Sequence, residues 1–266
     1  MLRSRILTAL ALAILCTAAI IVCPPPVTSF IFGAITLIGA WEWSAFLATQ
    51  TIWRVLYVVL LAVLGALIHM APLSTAGFVL MLEVAVGWWI VALFWIVLAP
   101  QRGGALAAGL AGAFALLPTW VALARIDAGW VGGPEWTLFI LVLAFSADTG
   151  AFFAGRQFGR THLAPRVSPN KTWEGVIGGM LLAAGVAAAG AGWFRLSIGG
   201  FIGLCLAAAG FSVVGDLVES LLKRHVHLKD SGRLFPGHGG MLDRIDSVTA
   251  ATPVMALGLI WLGAGK

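Results

Sequence analysis

Four polar residues, Asp216, Glu219, Ser220 and Lys223, interrupt an otherwise apolar stretch of this sequence. Counted from Asp216, the others follow at three, four and seven positions, a spacing that places all four on one face of an α-helix. Carboxylates in apolar surroundings are costly unless they are paired, hydrated or bound to a cation. The set therefore predicts either a cation-binding face or an ion network in which Lys223 simply neutralises Asp216 or Glu219.

A second acidic pair, Asp243 and Asp246, follows in the run DRID. Two residues three positions apart point the same way if a helix begins here. With Asp216 they would offer an oxygen-rich site for a hard cation such as Mg²⁺, which proteins hold with a few carboxylates, waters and substrate phosphates. The alternative is helix capping, because acidic residues are favoured in a first turn. Capping explains one carboxylate better than two.

The stretch 220–246 concentrates polarity, with eight of the chain's 27 charged residues and three of its five histidines. It contains the glycine-rich segment 236–240, PGHGG, whose bare backbone can approach a ligand closely and whose amides can bind phosphate. No Gly-Lys-Ser/Thr follows, so the segment is not a Walker A loop. The adjacent cations indicate an anion-binding site; they are Lys223, Arg224, Lys229 and Arg233.

An upstream polar block begins at Asp148 and continues to the run SPNKTWEG at 168–175. Ser168 or Thr172 is placed to cap the helix that follows, whose N-terminal amides would attract a phosphate. Lys171 adds a positive charge. The alternative is a basic loop that lies on anionic lipid headgroups.

The composition is that of a membrane protein. Of 266 residues, 61% are hydrophobic and 10% are charged, and the mean hydropathy is +1.01; soluble domains carry about 25% charged residues. The net charge of +5 and the isoelectric point near 9.6 are explained by Lys and Arg in cytoplasmic loops, and we expect no nucleic-acid partner. Three scattered cysteines form neither a metal motif nor a full set of disulfides.

Pro and Gly residues divide the apolar sequence into nine predicted transmembrane helices, which makes the fold an all-α, polytopic integral membrane protein. The predicted spans are 6–22, 27–47, 52–69, 75–98, 105–124, 135–155, 174–194, 198–222 and 248–262. The first resembles a signal peptide, but its length and the spans that follow favour an uncleaved helix. We divide the chain into N-terminal helices for packing, lipid access and dimer contacts, 1–128, and a C-terminal catalytic region, 129–266.

The positions of the cations predict the orientation. With a cytoplasmic N-terminus and nine alternating spans, thirteen of the 16 Lys and Arg residues fall in the cytoplasm, and only Arg125, Arg195 and Lys266 fall outside. Such a bias follows the positive-inside rule. It also places the polar loops 156–172 and 223–247 on one cytoplasmic face, where together they would build one site in the inner membrane.

These motifs resemble a known family. The residues SLLKR at 220–224, KDSG at 229–232 and FPGHGGMLDRID at 235–246 closely match the signature of phosphatidate cytidylyltransferases, also called CDP-diacylglycerol synthases, and we find no departure from it. The block SPNKTWEG is also similar to that family. The resemblance is sharp over about 148–246, whereas the N-terminal spans match only in being apolar.

The resemblance implies an integral-membrane, often dimeric enzyme that converts CTP and phosphatidate into CDP-diacylglycerol and pyrophosphate with Mg²⁺, with room for a second cation such as K⁺. It implies metal ligands at Asp216, Asp243 and Asp246. It implies catalytic residues that contact phosphates or orient the substrate, namely Lys223, Arg224, Lys229, Asp230 and His238. It implies substrate-binding residues at Asp148, Ser168, Asn170, Lys171, Ser220, Gly239, Gly240 and Arg244.

Two alternatives stay open at the level of the sequence. A CTP-dependent lipid kinase would use similar residues but transfer the γ-phosphate. An ion-coupled transporter would bind a cation without chemistry, although transporter sites usually lie near the bilayer midplane, not at one end. Three further ionisable residues, Glu42, His69 and Glu83, lie in or near early spans and have no assigned role.

Overall fold

The computed structural model describes residues 13–47, 50–71, 73–234 and 239–264. The described helices are α1 (Ala13–Val22), α2 (Pro25–Trp43, extended by a 3₁₀ turn, Ser44–Phe46), α3 (Thr51–Met70), α4 (Thr75–Leu98), α5 (Ala105–Gly129), α6 (Gly133–Phe158), α7 (Trp173–Trp193), α8 (Ile198–His225) and α9 (Leu242–Trp261). Two short strands, β1 (His162–Ala164) and β2 (Ser168–Thr172), separate α6 from α7.

The helix boundaries follow local signals in the sequence. Proline occupies the first turn of α2 and of α6, where a missing N–H costs nothing. Ser74 caps α4, since its hydroxyl accepts from the N–H of Gly77 at 3.1 Å. Seven of the described helices, α2 to α8, are long and apolar enough to cross a membrane. The polytopic all-α fold is thereby confirmed, while the count of nine spans stays a prediction.

Helix α9 forms the centre of the bundle. It packs against α2, α4, α5, α6 and α8, and most of its side chains are buried. Pro253 lies inside it and cannot donate to the carbonyl of Thr249, four residues earlier. The Thr119 hydroxyl of α5 donates towards that carbonyl at 3.0 Å and shares its proton with the Ala115 carbonyl at 2.8 Å. A side chain of α5 thus provides the hydrogen bond that the proline removes from a carbonyl of α9.

Helices α6 and α7 pack almost backbone to backbone. A Cβ at Gly150 would collide with the carbonyl of Gly178, and a Cβ at Gly179 would collide with the carbonyl of Ala147. Small residues permit such close approach in membranes. In contrast, most of α3 is exposed, and α4 presents large apolar side chains such as Phe94 and Val97 on the surface. These faces are suited to lipid.

Side-chain contacts define the two ends of the bundle. At one end, the end of α2 reaches the start of α9, the β1–β2 hairpin reaches α8, and His225 Nε2 lies 2.8 Å from the carbonyl of Pro100. We call this the polar end. At the opposite end, which we call the far end, Arg125 Nη1 donates to the carbonyl of Leu73 at 2.6 Å. Of the thirteen Lys and Arg within the described ranges, all but Arg125 and Arg195 lie at the polar end.

Candidate active site

The polar face of α8 forms as the helical spacing predicts. Ser220 Oγ lies 3.4 Å from Asp216 Oδ1, and Lys223 Nζ lies 3.4 Å from Glu219 Oε2. Of the two self-neutralising pairs considered from the sequence, the structure forms the one between Glu219 and Lys223. Asp216 instead pairs with a lysine from another part of the chain.

That lysine is Lys171, which the β1–β2 hairpin carries to α8. Its Nζ lies 2.6 Å from Asp216 Oδ2. The hairpin is antiparallel, and its buried Val167 belongs to the same apolar cluster as Leu217 and Val218 of α8. The upstream polar loop therefore reaches the polar face of α8.

Local hydrogen bonds connect the hairpin to α7. Thr172 caps α7, with its hydroxyl accepting from the N–H of Gly175 at 3.1 Å, which confirms one of the two predicted caps. Glu174 accepts from the N–H groups of Arg160 and Thr161 at 3.1 and 3.2 Å. The position of Lys171 is thus set by contacts with both α7 and α8.

Asp243, in the first turn of α9, accepts hydrogen bonds on both of its oxygens. Lys223 Nζ lies 2.7 Å from Oδ1, while Oδ2 accepts from the Gly240 N–H at 2.7 Å and from the Ser231 hydroxyl at 2.8 Å. Burial alone would raise the pKa of Asp243, but these hydrogen bonds outweigh it and lower that pKa below its usual value. Asp243 is therefore a charged anchor for Lys223 and for the segment before α9.

Two further carboxylates come from α6 and α9. Asp148 interacts electrostatically with Asp216, Lys171 and Arg244, and Asp246 interacts with Asp216 and Asp148. Asp246 is 8% exposed, and its Oδ1 accepts from the N–H of Ser247 at 2.8 Å. Residues from α6, the hairpin, α8 and α9 are therefore brought together in one cluster.

A close crossing of α8 and α9 makes this cluster possible. A Cβ at Gly215 would collide with the carbonyl of Asp246. Glycine is therefore needed at this position, which precedes Asp216 in α8 and lies against Asp246 of α9. Helix α9 begins at Leu242 and includes both aspartates, so the helix on which the DRID prediction depends is present.

The donor set fits a hard cation in chemistry. Glu219 is 1% exposed, its carboxyl group interacts with that of Asp246, and Lys223 Nζ lies 3.4 Å from its Oε2. Two buried carboxyl groups side by side require a counter-charge, and Lys223 supplies part of it. Within the described ranges no three His, Cys, Asp or Glu side chains converge closely enough to hold a metal as they stand. Cation binding would require the carboxylates to turn towards one another.

The remaining predicted site residues surround this cluster or lie outside the described ranges. Gly240 is buried beside Asp243, and Gly239 adopts a φ of 79°, a left-handed conformation that favours glycine. His238 lies outside the described residues. The other predicted binding and catalytic residues form a solvent-accessible rim: partly buried Ser168 and exposed Asn170, Arg224, Lys229, Asp230 and Arg244.

Of the three ionisable residues without an assigned role, only Glu42 reaches the polar end. Its Oε2 accepts from the Leu242 N–H at 2.7 Å and its Oε1 accepts from the Met241 N–H at 3.1 Å. His69 lies at the far end, where it lines a cavity of about 210 Å³ with Arg125. Glu83 is exposed on α4. An acid in an apolar span was the only sequence signal for Glu42.

The fold and this cluster define an integral membrane protein with a polar site of carboxylates and lysines at one end of its helix bundle. The chain belongs to the cytidylyltransferase family, whose sequence profile matches residues 3–261.

Two curated relatives match over nearly their whole length. The phosphatidate cytidylyltransferase of Pseudomonas aeruginosa is 40% identical over 269 aligned positions, covering 98% of this chain and 97% of the relative. That of Haemophilus influenzae is 35% identical over 278 positions, covering 95% and 96%. A phosphatidate cytidylyltransferase of Brucella suis is 46% identical over 127 residues, which is 45% of each chain.

Proposed function

We propose that this chain is a phosphatidate cytidylyltransferase, which converts CTP and phosphatidate into CDP-diacylglycerol and pyrophosphate. The observation that carries the proposal is the near full-length similarity to two relatives that bear this name. Neither the CTP-dependent lipid kinase nor the transporter is favoured by the comparisons.

For this reaction the protein must position the two substrates and neutralise the negative charge of their phosphates. A phosphatidate oxygen attacks the α-phosphorus of CTP, and the bond to pyrophosphate breaks. Phosphatidate is already a competent nucleophile at neutral pH, so no dedicated base is required. Lys171 and Lys223 are each held by an aspartate at 2.6 and 2.7 Å, which fixes two ammonium groups at the site. In our proposal these charges offset the charge that develops on the phosphates.

We further propose that Asp216, Asp243 and Asp246 hold Mg²⁺, with a second cation such as K⁺ beside it. The support is the donor chemistry and the buried Glu219, which adds a fourth carboxylate beside Asp246 to the predicted set. When bound, the cation would neutralise the polyphosphate. In the structure both oxygens of Asp243 and both oxygens of Asp216 already have partners, so binding of a cation would require these contacts to rearrange.

The rim residues are proposed to bind the substrates. Asp148, Ser168, Asn170 and Lys171 would contact the nucleotide from the α6 and hairpin side. Ser220, Gly239, Gly240 and Arg244 would do so from the α8 and α9 side. Four residues, Arg224, Lys229, Asp230 and His238, would join Lys223 in orienting the phosphates.

We place the polar end on the cytoplasmic side of the inner membrane. The support is the concentration of described Lys and Arg residues at that end. CTP would then enter from the cytoplasm, and phosphatidate would enter sideways from the bilayer. We also propose a homodimer, with the N-terminal helices, 1–128, providing contacts and lipid access.

The test is an assay of purified protein in detergent with radiolabelled CTP, phosphatidate and magnesium. We expect labelled CDP-diacylglycerol and one pyrophosphate per product, and loss of both on chelation of the metal. A product labelled only in free CDP, with a newly phosphorylated lipid, would establish the kinase instead. No turnover of CTP across pH and lipid composition would refute the enzyme and favour the transporter.

A further inference from the structure

Glu42 lies more than 200 residues before the acidic residues of α9, yet it contacts the backbone from which they project. We propose that Glu42 is a positioning residue that holds the start of α9, and with it Asp243 and Lys223, in place for the reaction. The effect on turnover rests on the proposed function, whereas the positioning itself does not.

The contacts of Glu42 are short and buried. Its side chain is 6% exposed. One oxygen accepts from the Met241 N–H at 3.1 Å and the other accepts from the Leu242 N–H at 2.7 Å. The Ser231 hydroxyl lies 3.2 Å from that second oxygen. The carboxylate thus contacts both flanks of the connection between α8 and α9.

Helix α9 needs such a partner because it has no side-chain cap of its own. Its N-cap residue is Met241, which makes no side-chain hydrogen bond to the first turn. The first amides of a helix lack partners within the helix, and the helix dipole favours a negative charge there. Glu42 supplies both the acceptor and the charge from α2.

The glycines of the connection leave the space that Glu42 fills. A Cβ on Gly240 or Gly232 would collide with its carboxylate. The Glu42 carboxylate therefore occupies the space that side chains at these two positions would need. This explains why both residues that face the end of α2 are glycines.

The end of α2 is itself firmly held. Trp43, next to Glu42, is 1% exposed, and its Nε1 donates to the carbonyl of Ala108 at 2.8 Å. Arg54 stacks over Trp41 at 4.4 Å and donates to Ser44 Oγ at 3.0 Å. Because the backbone at the end of α2 is already fixed, little further conformational entropy is lost when the Glu42 side chain is held in one position.

Ser231 transmits that position to the polar cluster. Its hydroxyl lies between the carboxylates of Glu42 and Asp243, at 3.2 and 2.8 Å. Asp243 in turn binds Lys223 at 2.7 Å. If Glu42 loses its charge, the start of α9 loosens, and the Asp243–Lys223 pair loses its fixed place.

The experiment compares Glu42→Gln with Glu83→Gln, the same substitution at an exposed position on α4. Hydrogen exchange of the purified proteins is followed in peptides that cover 226–234 and 239–246. For Glu42→Gln we expect exchange about tenfold faster in these peptides, because the amide turns an N–H₂ group towards backbone donors. Exchange elsewhere, and all exchange in Glu83→Gln, should match the wild type.

Turnover is measured on the same samples. We expect kcat of Glu42→Gln to fall about tenfold or more at an unchanged thermal midpoint, and Glu42→Asp, which keeps the charge on a shorter chain, to recover part of the loss. Unchanged local exchange would overturn the proposal. So would faster exchange in all helices with a lower thermal midpoint, because that result means a general structural role. If the wild type makes no CDP-diacylglycerol, the proposed function fails, and the exchange result still decides the role of Glu42.

Discussion

A buried acidic side chain lies near each end of α2, and the two differ in their hydrogen-bond partners. Near its start, at the far end, Thr28 donates to the carboxylate of Asp127, whose second oxygen has no partner among the described residues. Near its end, Glu42 accepts two backbone N–H groups and lies beside a serine hydroxyl. Both acids are about equally buried, at 5% and 6% exposure.

The difference lies in what surrounds each acid. Within the described ranges, Asp127 makes one side-chain hydrogen bond, with Thr28, and it joins α5 to α2. Glu42 is one member of a connected set that includes Asp243, Lys223 and a helix N-terminus. Burial of an acid therefore does not by itself indicate a site, whereas burial within a network of cations and oriented amides does.

The largest expected effect is at Asp246. We expect Asp246→Asn to lower kcat by about a hundredfold or more, because it removes a charge from the proposed cation site. The amide oxygen can still accept from the Ser247 N–H, so the fold should persist. Steady-state kinetics at saturating magnesium measure this, with Asp127→Asn as the matched control at the far end. Wild-type kcat in Asp246→Asn would eliminate the metal role of this residue.

A smaller loss is expected at Lys171. Lys171→Gln breaks the 2.6 Å ion pair with Asp216 and removes one of the two fixed ammonium groups. We expect kcat/KM for CTP to fall about ten- to a hundredfold. The control is Arg195→Gln, which removes a cation from the far end and should leave kinetics unchanged. Equal losses in the two variants would mean that overall charge matters more than the hairpin contact.

The crossing of α8 and α9 can be tested with two glycines of one helix. Gly215→Ala places a Cβ against the Asp246 carbonyl, whereas an added Cβ at Gly203 meets nothing within 4 Å. We expect Gly215→Ala to destabilise the protein by about 1–3 kcal/mol and to lower kcat severalfold. Gly203→Ala should be neutral or slightly stabilising. Thermal unfolding in detergent provides the measurement, and a neutral Gly215→Ala would show that the helices adjust easily.

The smallest effect is expected at Asp127. Asp127→Asn keeps an oxygen acceptor for Thr28, and among the described residues the other carboxyl oxygen has no hydrogen-bond partner to lose. We expect turnover within about twofold of the wild type and a change in stability of no more than about 1 kcal/mol. A large loss of turnover here would abolish the contrast between the two ends.

Much of the fold could be predicted from the sequence because apolar length and Pro or Gly punctuation are local signals. The predicted spans from 27–47 to 198–222 correspond to α2 to α8, and the helical spacing from Asp216 to Lys223 gives the observed polar face. The N-cap at Thr172 is likewise a local property. The first predicted span is described only from residue 13 onwards.

What could not be predicted depends on contacts distant in sequence. The strands of the β1–β2 hairpin are only three and five residues long, and packing of Val167 beside α8 fixes the position of the hairpin. Pairing of Asp216 with Lys171 instead of Lys223 depends on that hairpin. The role of Glu42 depends on α2 lying against the start of α9, which no local spacing encodes. Local patterns identify the candidate residues, and tertiary packing determines their partners.

The proline of α9 has a consequence for how related sequences diverge. Because Pro253 leaves the Thr249 carbonyl without a helical donor, Thr119 supplies one from α5. The threonine matters only while the proline is present. A lineage that first replaced the proline would be free to lose the threonine, whereas the reverse order would pass through a chain with an unsatisfied carbonyl in its centre. The two positions, 134 residues apart in sequence, should therefore change in a fixed order.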